Sequence, residues 1–386
     1  MLAVLISLVA HAAPPTCTSW GESVLLATCD DCPRIDESSG VVAAVHRPGV
    51  YFTHNDAGGS AELYAFDTTG VHIETHSVTG GGFRDWEDIA SGPCPSGVDA
   101  DTCIYIGDVG DNSESREEVD IWVVAEPEAG ASAPVVASWR LRYPVDAHDC
   151  EAIVVHPCTG RVYLLTKERE GEPVVFRVPA TPTGPDAAVD VELVATFSRT
   201  WFGDSGLLTG ADWSVGGDRL VVRTYDGGWE WITDPANPDA HWTTAPSPIP
   251  IDVEGQGESI THHPDGGVLT TTERTPMRIV HLPCDTTEPA TTCPPPEPHD
   301  TGTPADTADS ADTAHSDTAP ADSTPPDDST PNDSANQGTP PTATTVDKDT
   351  CGCGGGAAAW VVLAGLLGIR RRQATAGHPE DAAFRL

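Results

Sequence analysis

The chain has 386 residues and carries 59 Asp and Glu against 20 Lys and Arg, a net charge of −39. Such acidity repels nucleic acid and anionic membrane surfaces and attracts cations, Ca²⁺ among them, although it also serves simply to keep an exported protein soluble. The excess is not confined to one segment, because residues 1 to 284 alone hold 43 acidic and 15 basic side chains.

In chain order, residues 1 to 13 come first, with the apolar run LAVLISLVAHAA ending at Ala10-His11-Ala12. A small-x-small stop after an apolar run reads as a secretory signal peptide, despite the lack of Lys or Arg before it. A strand-like SVLLAT (23 to 28) follows. Then one two-strand phrase recurs five times: SGVVAAVHRPGVYFTHND (39 to 56), EDIA…CIYIGDVGDN (87 to 112), EAIVVHPCTGRVYLLTKE (151 to 168), GADWSVGGDRLVVRTYD (210 to 226) and GESITHHPDGGVLTTTE (257 to 273). Aligned on Thr53, Ile106, Thr166, Arg223 and Thr271, the copies step by 53, 60, 57 and 48 residues, and most are followed by two more strand-like runs. A period of this size with four strands per unit predicts an all-β β-propeller spanning 17 to 284. Five blades are visible, a sixth would have to hide in 112 to 150 or 180 to 210, and a β-sandwich is the competing architecture. The fifth copy lacks an outermost strand, which SVLLAT would supply and so close the ring.

Eleven cysteines suit an oxidising compartment. Cys94 and Cys103 bracket one turn and Cys150 and Cys158 bracket one strand, so each pair reads as a local disulfide. Cys17, Cys29, Cys32, Cys284 and Cys293 remain, and one or two bridges among them would lock the two ends together. Cys29-Asp30-Asp31-Cys32 also has the form of half a zinc site, but no second CxxC or His pair accompanies it.

Residues 285 to 350 are Thr, Asp, Pro, Ser and Ala with almost no aliphatic side chain, which predicts a disordered, extended linker. Residues 351 to 372 contain Cys351-Gly352-Cys353, a 16-residue apolar stretch and Arg370, Arg371 and Arg372; a short tail, 373 to 386, follows. Positive charge after the apolar stretch would hold that end cytoplasmic, and an ordinary C-terminal membrane anchor is one reading. The four ordered elements at 349 to 372 also resemble the MYXO-CTERM sorting tail of myxobacterial surface proteins. The resemblance implies a sorting protease as partner, processing near Cys351 or Cys353, and display at the outer envelope, although such tails usually stop at the Arg cluster.

The repeated region has a resemblance of its own. NDAGGSAELYAFDTTG, RDWEDIA, YIGDVGDNSESREEVDIWVVAEP, DCEAIVV…VYLLTKE, LTGADWS…VVRTYD and VEGQGESI together resemble a family of secreted bacterial propeller proteins of largely unassigned function, and, more remotely, the calcium-dependent phytase-like propellers.

In a propeller the first strand of each blade lines the channel, so Glu87, Glu151, Asp212 and Glu258, which start that strand in copies two to five, should share one mouth with Asp88. Lys167, Arg223 and Arg274 would bring positive charge nearby. Crowded carboxylates must be paired, protonated or bound to a cation, and hard oxygens at this density suit Ca²⁺. Asp108, Asp111 and Asn112 in GDVGDN, with Glu87, are the sharpest candidate ligands, although the loop departs from EF-hand spacing and such residues also form plain turns. Asn55-Asp56 is a second such candidate. Nucleophilic chemistry has little support: Ser205 in GDSG lacks a surrounding signature, and His148, His156, His262 and His263 have no partner visible in sequence. Trp229 and Trp231 share a strand face and could contact sugar. Two functions follow from these residues: a surface-displayed binding module with structural Ca²⁺, or a Ca²⁺-dependent hydrolase of phosphate esters or similar anions in which Lys167 or Arg223 holds the substrate.

Overall fold

The computed structural model describes residues 16 to 294, except 31, 33, 57, 58 and 290. The expected signal peptide, the linker beyond 294, and Cys351, Cys353, Arg370, Arg371 and Arg372 therefore lie outside the described residues. Among the described residues no helix is long and apolar enough to cross a membrane.

Two strands precede the first repeat, β1 (Thr16–Trp20) and β2 (Val24–Thr28). Blade 1 comprises β3 (Ser38–Ala43), β4 (Val50–Asn55), β5 (Glu62–Asp67) and β6 (His72–Thr79); blade 2 comprises β7 (Asp88–Pro93), β8 (Thr102–Asp108), β9 (Val119–Ala125) and β10 (Ala133–Arg142). Blade 3 is built from β11 (Cys150–Val155), β12 (Val162–Thr166), β13 (Val174–Arg177) and β15 (Glu192–Thr196), with β14 (Gly184–Asp190) instead lying parallel on the outer edge of β10. Blade 4 is β16 (Leu208–Trp213), β17 (Arg219–Thr224), β18 (Gly227–Ile232) and β19 (Ser247–Ile249). Blade 5 takes β20 (Thr261–His262), β21 (Val268–Thr271) and β22 (Arg278–Leu282) from its own repeat and β2 as outermost strand. β23 (Cys284–Glu288) then pairs with β1.

The innermost strands touch in the cyclic order β3, β7, β11, β16, β20 and back to β3, which is a closed five-bladed propeller. The stretches proposed for a sixth blade are used otherwise: β9 and β10 complete blade 2, and β14 extends it. Because both faces of each blade are covered by neighbours, the middle strands are apolar without alternation, as in VYLLT of β12, where every residue is buried. Five apolar clusters result, one in each seam. Examples are Phe52, Ile89 and Ile104 between blades 1 and 2, Ile153 and Tyr105 between blades 2 and 3, and Tyr51, Leu269 and Ile279 between blades 5 and 1.

The disulfides correct part of the sequence reading. Cys94 and Cys103 are bonded across the β7–β8 hairpin, with Cα atoms 4.9 Å apart. Cys150 and Cys158 are not bonded to each other: Cys150 opens β11 and Cys158 lies in the turn beyond its far end, and a strand rising about 3.3 Å per residue separates them beyond disulfide reach. Cys150 is a buried free thiol, and Cys158 pairs with Cys293. Cys17 pairs with Cys284, and Cys29 with Cys32, which removes the thiolates a zinc site at that CxxC would need. The fold thus runs past 284, through β23 and on to the bridge at Cys293.

Candidate functional site

Backbone register decides which side chains reach the channel mouth. In β11 an extra residue bulges out between Cys150 and Ala152, and it is Glu151. In β16 the corresponding bulge falls between Leu208 and Gly210, so blade 4 places Thr209 there and not Asp212. Asp212 lies three residues further along, opposite Val221, and accepts hydrogen bonds from the His262 N–H (2.8 Å) and the Thr261 hydroxyl (2.9 Å). Its job is to tie blade 4 to blade 5 near the second mouth. A bulge shifts register without changing composition, which is why counting along the repeat misplaced it.

Asp88 and Arg223 are likewise turned to structural use. The Asp88 carboxylate is fully buried at the channel centre and accepts the N–H groups of Ile89, Ile153 and Ala211, pinning blades 2, 3 and 4 together. Burial pushes its pKa well above the usual carboxylate value. Arg223 is buried against Gly257, where any Cβ would collide with the guanidinium, and it lies near the Glu254 carboxylate (3.5 Å) and the Ser259 carbonyl (3.4 Å).

Glu87, Glu151 and Glu258 do meet at one mouth. Lys167 Nζ lies 2.7 Å from Glu151 and 3.0 Å from the Tyr225 oxygen, and the Tyr225 hydroxyl donates to Glu258 (2.7 Å). Around them stand Asp56, Asp85, Asp149 and Glu273. One carboxylate oxygen from each of Asp56, Asp85 and Glu87 lies within 4.8 Å of the others, and the same holds for Glu87, Asp149 and Glu151. Glu87, only 3% exposed, belongs to both groups, and its Oε1 has no hydrogen-bond partner among the described residues. Lys167 is inserted among these seven acids, and Arg169 reaches Asp149 from the exposed side (3.6 Å). Desolvation is the largest cause that raises Asp85 to about 6, Glu151 and Glu273 each to about 8, and Glu87 and Glu258 also upward; repulsion from neighbouring acids adds to it at Asp85, Glu87 and Glu273, while Lys167 opposes it at Glu151 and Glu258. Asp149 and Glu273 were missed from sequence; for Glu273 a signal existed, since the second strand of most repeats runs out into a carboxylate, as in TKE, TYD and TTE, whereas Asp149 precedes β11 and has no such marker.

In GDVGDN the expected ligands are engaged by protein groups. Asp108 accepts the N–H groups of Arg84 (2.9 Å) and Asp85 (3.0 Å) and pairs with Arg116 (3.0 Å). Asp111 accepts the N–H groups of Ser115 and Arg116, and Asn112 accepts from Arg169. The loop instead serves the acids beside it. A Cβ on Gly110 would collide with Glu87 Oε1 and stand 2.7 Å from Asp85 Oδ2, so only glycine leaves room for both carboxylates. The Asp111 N–H donates to Asp149 Oδ1 (3.0 Å).

The remaining candidates carry no nucleophilic site. His148 pairs with Glu168 (2.7 Å), while His156 and His262 are buried and desolvation holds them near pKa 4. Ser205 packs in a turn, where its N–H donates to Asp226. Trp229 and Trp231 are buried against Phe202 and present no sugar platform. Opposite the acidic mouth, the second mouth holds a mainly apolar cavity of about 460 Å³, lined by Ala43, Pro93, Asp212, His262, His263 and Cys293 among others. A larger cavity, about 760 Å³, lies between blades 2 and 3, but its arginines, Arg161 and Arg177, are both paired with Asp239.

No protein-family model and no curated protein matches the chain. Among solved structures it is similar to the PQQ-bound aldose sugar dehydrogenase from Streptomyces coelicolor (11% identity over 70% of this chain and 99% of that one, TM-score 0.39). It is also similar to the calcium structure of a Trichoderma reesei carbohydrate-active enzyme of family AA12 (10%, 72% and 98%, TM-score 0.42). A third likeness is to regucalcin, a calcium-binding protein from Agrobacterium tumefaciens (12%, 74% and 100%, TM-score 0.39). Likenesses this remote say nothing about activity, and the propeller assignment stands on the strand pairings of this chain.

Proposed function

We propose that the acidic mouth is a divalent-cation site suited to Ca²⁺, and that the protein is an exported, surface-displayed propeller that binds its ligand through that mouth. The observation carrying this reading is Glu87: a buried carboxylate with an unpartnered oxygen, ringed by Asp56, Asp85, Asp149 and Glu151. A buried carboxylate without a partner is costly to ionise unless a cation meets it, and several hard oxygens around one point are what Ca²⁺ requires. Export is supported by four disulfides, which belong to an oxidising compartment, and by the sequence features at both ends, with the sorting protease as partner of the tail.

Phosphate-ester hydrolysis is the weaker reading. The two cations it would use are committed, Lys167 to Glu151 and Arg223 to the blade 4–5 junction. Calorimetric titration of the full chain with CaCl₂ tests the site. Saturable binding is expected, with stabilisation of about 2.7 kcal/mol at a hundredfold excess over Kd, and both should be lost in Glu87→Gln. Equal melting temperatures in Ca²⁺ and in chelator would exclude the site.

A further inference from the structure

Blade 5 holds a second cluster of a different chemical kind. His263 follows β20, Asp265 lies in the β20–β21 turn, and His281 projects from β22. His263 Nδ1 lies 2.8 Å from one Asp265 oxygen and His281 Nε2 lies 3.1 Å from the other, while the two imidazoles face each other with centroids 4.3 Å apart. One ligand atom from each residue falls within 4.8 Å of the others. The turn is shaped around these groups: the Gly267 N–H donates to Asp265 Oδ1 (2.8 Å), and a Cβ on Gly267 would stand 2.9 Å from His281 Nε2. Tyr51 lies stacked on His263, and its buried hydroxyl has no hydrogen-bond partner among the described residues.

We propose that His263, Asp265 and His281 form a Zn²⁺ site, independent of the acidic mouth. Two neutral imidazoles and one carboxylate are a borderline-soft donor set, unlike the all-oxygen set around Glu87, and so select a transition metal over Ca²⁺. The ion takes a place between the two imidazoles and the Asp265 carboxylate, at a His263 Nδ1 that now accepts the Asp265 N–H (3.3 Å). Three protein ligands leave one position for water, and the Tyr51 ring beside His263 brings a buried hydroxyl to the edge of the cluster. His263 also lines the cavity of the second mouth, so the open position is one that a ligand in that cavity could reach.

Titration of the full chain with ZnCl₂, in millimolar Ca²⁺ to occupy the acidic mouth, tests this. One saturable Zn²⁺ equivalent is expected, and Co²⁺ in its place should give the intense visible absorption of a tetrahedral centre. His263→Ala and Asp265→Asn, both at a partly exposed turn, should weaken Zn²⁺ by about 100-fold or more, and Tyr51→Phe by about tenfold. The melting temperatures of the turn variants in chelator, matched to the parent, show that the fold is intact. Zn²⁺ affinity unchanged in both turn variants, or displacement of Zn²⁺ by Ca²⁺, would overturn the assignment.

Discussion

At the scale of single residues, the acidic mouth stores protons. Asp85, Glu151 and Glu273 have folded-state pKa values of about 6, 8 and 8, above their ordinary carboxylate values, so the folded chain holds protons that the unfolded chain releases. Raised acids contribute stability at low pH that is lost as pH climbs through the folded values, here from about pH 5 to about pH 8. Buried His54, His156 and His262 work in the opposite direction: each is lowered to about 4, so the unfolded chain takes up protons first and stability falls as pH drops below about 6.5. Without divalent ions, melting temperature should therefore peak at mildly acidic pH and decline towards pH 8. Saturating Ca²⁺, which holds the carboxylates ionised, should flatten the alkaline decline, and a melting series in chelator and in Ca²⁺ reads this directly. A decline equally steep in both would show that these acids do not meet the ion.

At the scale of elements, the first strands do more than line a channel. Asp88 at the start of β7 accepts N–H groups from its own strand, from β11 and from β16, a central fastening for three blades. Asp88→Ala leaves those donors unpaired in a dry interior and should cost about 3 kcal/mol or more, measurable by denaturant unfolding, with Asp88→Asn restoring part of the loss. Here the limits of sequence reading have a physical cause. The propeller repeat, the closing role of β2 and the gathering of Glu87, Glu151 and Glu258 were legible because each depends on period and strand order, whereas the sequence left the blade number between five and six. Asp212 was misplaced because a bulge changes register silently. Asp108 and Asp111 looked like ligands because the same carboxylate that binds an ion also caps a turn, and only the positions of the neighbouring N–H groups distinguish the two. Cys150 and Cys158 were close in number, yet an extended strand lies between them, with Cys150 at its start and Cys158 in the turn after its end.

At the scale of the whole molecule, the ring is closed noncovalently by β2 against β22 and covalently by Cys17–Cys284 close by. Cys17→Ser should lower the melting temperature under oxidising conditions by several degrees, since removing a bridge with a 267-residue separation frees a large loop in the unfolded chain, nominally worth about 4 kcal/mol or more. A change under one degree would mean that strand pairing alone closes the ring. Net charge adds a second global term: self-repulsion of −39 opposes compaction, so moderate salt should raise stability even where no specific ion is bound.

The Cys158–Cys293 bridge has a mechanical consequence. Tension applied from beyond residue 293 does not reach β23, β22 or the closing strand first. It enters through a covalent bond into the turn that follows β11, in blade 3, on the far side of the ring from the acidic mouth. A tethered propeller under drag would carry load through its centre and leave its last blade slack. Pulling on the C-terminus in a single-molecule experiment should then leave the ring closed, and adding reductant should convert that behaviour into peeling of blade 5.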